Sequence, residues 1–177
     1  MRFVFVGKEP RRKGLFRLLD ALQRVPDYAR RMRLTVIGPD HDQIPDSYRS
    51  LAGVDWRGRI DKRRDPGGFL KTVAAHDVGV LLSTAEATGL SLREFQMLGL
   101  ALIAPNVGGS PEMIAKESAD LVEPSAGPDE IAKVVDQLLN SPERVLAMKQ
   151  TSWSQRHHMS WAESARQLLH NLDSIQD

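Results

Sequence analysis

Val78–Pro105 reads VGVLLSTAEATGLSLREFQMLGLALIAP: an apolar run, a polar loop, a helical pattern and a second apolar run. VGVLL (Val78–Leu82) and ALIA (Ala101–Ala104) are short, apolar on both faces and free of strict alternation, which marks buried parallel strands. Between them Leu90–Leu98 has helical periodicity, and Gly89 lies where the chain must turn into it. Strand, helix and strand in that order form a crossover unit of a parallel sheet. The same signature recurs outward along the chain, in FVFV (Phe3–Val6), LTVI (Leu34–Ile37), VDW (Val54–Trp56) and ADLV (Ala119–Val122).

Helical faces separate these runs. Leu15, Leu18, Leu19 and Leu22 share one face, Ile131, Val134, Val135, Leu138 and Leu139 another, and Pro66–Ala75 is predicted helical. After the last strand only helices are expected, in GPDEIAKVVDQLLNS, PERVLAMKQTSWSQRH and SWAESARQLLHNL, with Ser141-Pro142 and Ser160 as starts. The fold class is therefore α/β, a Rossmann-like open parallel sheet with helices on both faces, and residues 1–177 form a single domain.

The composition is that of a globular protein, with 41% apolar and 27% charged residues. A net charge of +1 gives no global field for nucleic acid. The absence of cysteine excludes disulfides, thiolate zinc sites and cysteine nucleophiles and agrees with a reducing, cytoplasmic location. No apolar run approaches a membrane span, and MRFVFVGKEP turns polar too early for a signal peptide.

In such sheets ligands bind at the carboxyl ends of the strands, so the loops after strands carry the chemistry. Basic residues bunch at Lys8–Lys13 and Arg57–Arg64, both placed after strands, and at Arg30–Arg33, before a strand and so expected on a solvated surface. In VGKEPRRKGL the end of a strand, two lysines and a helix start suit a phosphate or diphosphate, although a basic solvated turn is the commoner meaning of such a loop. In STAEATGLSLREF, Glu86 and Glu94 flank Thr88-Gly89. On one unbroken helix they would stand about 12 Å apart along the axis. A helix beginning near Gly89 instead places an anion site between two carboxylates, each able to accept from a vicinal diol. An isolated pair at this spacing is more often two surface charges. Gly108 and Gly109 in APNVGGSPEMI allow close backbone approach to a ligand, or mark a plain strand-to-helix turn.

Other features carry less. Asp40 and Asp42 in DHD lack a third metal ligand nearby, and no metal site is expected. His76, His157 and His158 read as surface or packing residues, and Trp153 and Trp161 as core or interface aromatics.

Taken in order, FVGKEPRRKGLFRLLDAL, LTVIG, VDWRGRI, HDVGVLLSTAEATGLSLREFQMLGLALIAPNVGGSPEMI and SWAESARQLL resemble the C-terminal, donor-binding half of glycosyltransferase family 4 (group 1), retaining hexosyltransferases of the GT-B fold. The most specific match is Glu86–Gly109, a Glu-x7-Glu motif with a central glycine, a later Gly99, an apolar strand and a Gly-Gly turn. The resemblance implies that Glu94 holds the ribose and Glu86 the donor sugar, while amides around Thr88, Gly89 and Leu90 meet the distal phosphate. It makes Lys8 and Lys13 the basic pair that neutralises the leaving diphosphate without a metal ion or cofactor, beside Gly7. Arg59 and Ile60 lie where the family seats the base. The donor is then a UDP-, GDP- or ADP-sugar, and the acceptor a sugar or lipid-linked sugar.

Several positions depart from the family pattern. Lys8 stands for an arginine, which turns a bidentate clamp into a point charge. Thr88 stands for an aromatic, Leu82 for a proline, and Phe95 and Ala101 for alanine and proline. Family members also carry an N-terminal acceptor domain, and this chain begins at the first strand of the donor domain. It is expected to be a fragment or a split polypeptide, not competent alone, that works with an acceptor half in cis or in trans, with any peripheral attachment to the inner membrane residing in that half. A non-catalytic nucleotide-sugar-binding module and one half of a sugar-nucleotide epimerase are the alternatives.

Overall fold

A computed structural model describes residues 1–173, and the expectations placed on the His158 and Trp161 side chains lie outside the described residues. Six strands form one parallel sheet: β1 (Arg2–Val6), β2 (Arg33–Ile37), β3 (Val54–Gly58), β4 (Val78–Val80), β5 (Ala101–Pro105) and β6 (Ala119–Val122). Their spatial order is 3-2-1-4-5-6, so the direction of winding reverses between β1 and β4. The predicted Rossmann-like α/β class is borne out.

Each central strand serves both faces. Phe3 and Phe5 of β1 point into one core, and Val4 and Val6 into the other. The first core is closed by α1 (Leu15–Leu22) through Leu15, Leu18, Leu19 and Leu22, and later in the chain by Ile131, Val135 and Leu138. The second is closed by Phe69, Val73, Leu92 and Phe95. Burial on both sides is why these strands show continuous apolar runs.

The remaining helices are α2 (Tyr28–Arg31), α3 (Asp46–Arg49), α4 (Pro66–Ala74), α5 (Leu90–Met97), α6 (Pro128–Asn140), α7 (Pro142–Gln155) and α8 (Trp161–Asp173). Proline opens α4, α6 and α7, and the Asp65 carboxylate accepts from the Gly68 N–H at 2.8 Å to cap α4. Ser160 caps α8 as expected, its hydroxyl accepting from the Glu163 N–H at 3.1 Å.

Three expectations are corrected and a fourth is narrowed. Arg57 and Gly58 belong to β3 and not to the loop after it, because this edge strand is only half-buried and alternates charged with apolar side chains. Leu81 and Leu82 leave β4, since the Leu82 N–H turns to the Lys13 carbonyl at 3.2 Å. The Arg30–Arg33 cluster is not wholly solvated: Arg31 pairs with Asp136 of α6 at 2.7 Å and donates to Asn140 at 2.8 Å. Of the two roles expected for Trp153, core or interface, the core is excluded: it is 55% exposed, with the Arg156 guanidinium 3.8 Å from its ring centre.

Among the described residues no helix is long and apolar enough to cross a membrane. His76 is a packing residue: its Nδ1–H donates to the Val73 carbonyl at 3.2 Å, and Nε2 then accepts from the Thr35 hydroxyl at 2.8 Å. Burial holds its imidazole below the ordinary histidine range, against the smaller raising effect of that carbonyl.

Candidate functional site

A cavity of about 260 Å³ opens at the carboxyl end of the sheet, beside the reversal between β1 and β4. From the end of β1 come Val6, Gly7 and Lys8, and after them Glu9 and Lys13; from the loops after β2 and β3 come Gly38, Arg59, Ile60 and Lys62. Phe69 of α4 and Ser91 of α5 complete the wall. The predicted Gly7, Lys8, Lys13, Arg59 and Ile60 are thus brought together from parts of the chain that are far apart in sequence.

Close backbone contacts set this geometry. Gly14 caps α1 at φ +77°, and a Cβ there would fall 2.1 Å from the Leu82 carbonyl oxygen. The loop after β1 is therefore pressed against the loop after β4. The approach leaves the start of α1 unlike what was expected: the N–H groups of Lys13, Gly14 and Leu15 donate to the carbonyls of Glu9, Arg11 and Pro10 at 2.9, 3.1 and 2.8 Å. Those amides are spent within the loop, and the lysine side chains are what it offers to an anion. Gly7 lies beneath the stem of Lys13, where a Cβ would come within 3.0 Å of Cγ.

The start of α5 borders the same cavity. Gly89, at φ +62°, breaks the chain so that Glu86 lies in the loop and Glu94 on the helix. Ser91, in the first turn, lines the cavity and donates to the Val6 carbonyl at 3.2 Å, tying α5 to β1. The first N–H groups of a helix have no intrahelical partner, and the dipole favours an anion there. Thr88, Gly89 and Leu90 border this turn without lining the cavity, and Thr88 and Leu90 are exposed.

Neither predicted glutamate lines the cavity; the lysines that pair with them do. Lys13 donates to Glu86, which also accepts from the buried Ser83 hydroxyl at 3.0 Å and lies 3.8 Å from the Arg12 guanidinium. Burial pushes the Glu86 carboxyl up, but Lys13, Ser83 and Arg12 outweigh it and hold the group below the usual carboxylate range. Glu94 accepts from Lys62 with both oxygens, at 2.6 and 2.7 Å.

The glycine pair after β5, expected either to approach a ligand or to mark a plain turn, packs against the Glu86 loop. A Cβ on Gly108 would lie 1.8 Å from the Glu86 carbonyl oxygen, and the Gly109 N–H donates to the Ala87 carbonyl at 3.0 Å. The close approach is made by the Glu86 loop itself. Arg17 of α1 adds a tie on the same rim, donating to the carbonyls of Leu82, Glu123 and Ala126 at 2.9, 3.1 and 2.9 Å. Phe95, at a position where the family pattern has alanine, is accommodated because Gly79 of β4 leaves room: a Cβ there would sit 2.3 Å from the ring.

Lys62, Phe69, Ser83 and Ser91 were not singled out from sequence. The basic bunch Arg57–Arg64 contained the signal for Lys62, but nothing local shows which of its members turns inward. Asp40 in DHD serves a local turn, its N–H donating to Gln43 Oε1 at 2.9 Å.

The family model for group 1 glycosyl transferases matches residues 2–155. A D-inositol 3-phosphate glycosyltransferase of Corynebacterium aurimucosum is 31% identical over 173 residues, covering 93% of this chain and 41% of that protein. The chain therefore spans less than half the length of that relative. Among solved structures, HepE of Anabaena in complex with UDP superposes with a TM-score of 0.78 at 18% identity, covering 98% of this chain and 48% of that one. The C-terminal domain of a group 1 glycosyl transferase, LpcC of Francisella tularensis, superposes with a TM-score of 0.67 at 24% identity, covering 86% of this chain and 82% of that one. With the family model spanning most of its length, the chain belongs to the group 1 glycosyl transferases.

Proposed function

We propose that this chain is the donor-binding, C-terminal half of a retaining family 4 glycosyltransferase, and that it holds a nucleoside diphosphate sugar. One observation carries the proposal: Lys8 and Lys13, the first turn of α5 and the Arg59-Ile60 backbone meet in a single cavity at the sheet reversal. Lys8 lines the cavity with no ion-pair partner among the described residues, so its charge is available to a diphosphate. With Lys13 it neutralises the leaving group, a role a metal ion fills in other transferases. The N-terminal turn of α5, beside Thr88, Gly89 and Leu90, receives the distal phosphate.

Glu86 takes the donor sugar and Glu94 the ribose, each once its lysine has moved to the anion or to solvent. Gly108 and Gly109 act by shaping the Glu86 loop. HepE, which has the same fold, is described with UDP and with UDP-glucose, which supports a nucleotide-sugar donor. The acceptor half, in cis or in trans, supplies the other wall of the active site, and hexosyl transfer belongs to the two halves together. Chemical-shift titration with UDP, GDP and ADP tests the proposal. Shifts at Lys13 and Glu94 at millimolar nucleotide are expected, and their absence for all three would sink it.

A further inference from the structure

Lys62 is given no role above beyond moving away from Glu94. It comes from the loop between β3 and α4 and lines the cavity, whereas its partner Glu94 does not. Its ammonium meets both Glu94 oxygens, at 2.6 and 2.7 Å, and lies 4.1 Å from the centre of the Phe69 ring. Carboxylate and ring face hold the cation from two sides in an exposed pair. A vicinal diol binds a carboxylate by donating to the same two oxygens.

We propose that Lys62 is a latch on Glu94, a positioning residue that sets how strongly the site grips a vicinal diol. To engage Glu94, a diol must displace the ammonium, which then swings to solvent on its flexible stem. A ligand without the diol leaves the latch shut and binds through its phosphates alone. The latch rests on the nucleotide-site reading above and adds to it a competitor inside the site.

Calorimetric titration of UDP and 2′,3′-dideoxy-UDP against the wild type, Lys62→Met, Lys62→Arg and Glu94→Gln tests it. Methionine keeps a stem over Phe69 and removes the charge. An exposed ion pair of this kind is worth up to about fivefold in affinity, so Lys62→Met should bind UDP about threefold to fivefold more tightly. Dideoxy-UDP should bind both proteins alike, Lys62→Arg should behave as wild type, and Lys62→Met added to Glu94→Gln should bring no gain. Unchanged or weaker UDP binding by Lys62→Met, or an equal gain for dideoxy-UDP, would overturn the latch alone. If the wild type binds GDP or ADP in place of UDP, that nucleotide and its 2′,3′-dideoxy analogue are the probes; failure of the wild type and every variant to bind any of the three would remove the nucleotide site itself, and the latch with it.

Discussion

Replacing Gly108 and Gly58 with alanine, one at a time, separates backbone strain from the crowding that shapes the Glu86 loop. The two glycines have nearly the same conformation, at φ +55° and +59°. An L-residue in that region costs about 1 kcal/mol at either place. Their surroundings differ completely. A Cβ at Gly58 meets nothing within 4 Å, while one at Gly108 lies 1.8 Å from the Glu86 carbonyl oxygen. To restore 3.0 Å, the shortest separation real Cβ atoms show, that oxygen must retreat by about 1.2 Å. The retreat strains the adjoining bond from the Gly109 N–H to the Ala87 carbonyl. A lost backbone hydrogen bond and residual overlap together add about 2 kcal/mol. For a domain of this size about 3 °C follows from each kcal/mol, so Gly58→Ala should lower Tm by about 3 °C and Gly108→Ala by about 9 °C. Differential scanning fluorimetry with urea denaturation measures both. If the two variants lose stability equally, the contact between the Gly108 turn and the Glu86 loop is not what fixes that loop.

Two further outcomes follow from buried groups. His76 is buried and held below its ordinary range, so the unfolded chain takes up its proton first as pH falls below about 6.5. Wild-type stability should therefore decline as pH falls through that window, and His76→Gln should flatten the decline in urea midpoints between pH 7.5 and 5; an unchanged profile would contradict the assignment. Phe95→Ala removes a fully buried ring from α5 and should destabilise by about 3 to 5 kcal/mol in urea denaturation. A loss below about 1.5 kcal/mol would mean that Gly79 and its neighbours close the gap.

The sheet was legible because its central strands are buried on both faces, and β1, β2, β4 and β5 appear as largely apolar runs. At the half-buried β3, Arg57 interrupts the apolar pattern, which is why that strand was ended early at Trp56. The helices α2 and α3, of four residues each, are too short to show a period. At the site, Gly89 told correctly where α5 begins, since only a break there separates Glu86 from Glu94. The pairs Lys13–Glu86 and Lys62–Glu94 were not legible: their members stand 73 and 32 residues apart, and only packing of whole loops decides which lysine meets which glutamate. The same limit hid the internal bonding of the loop after β1, where amides expected to face a ligand face carbonyls instead.

The reversal between β1 and β4 has a consequence for how the cavity comes into being. Ser91 and Val6, which join its two sides, are 85 residues apart in sequence. Emerging from the ribosome, the loop after β1 would wait for β2, β3 and β4 before meeting its counterpart, and closing so long a loop is slow. Any small molecule bridging the two sides acts as a cross-link between the earliest and the middle strands, and its binding free energy adds to the stability of the whole sheet.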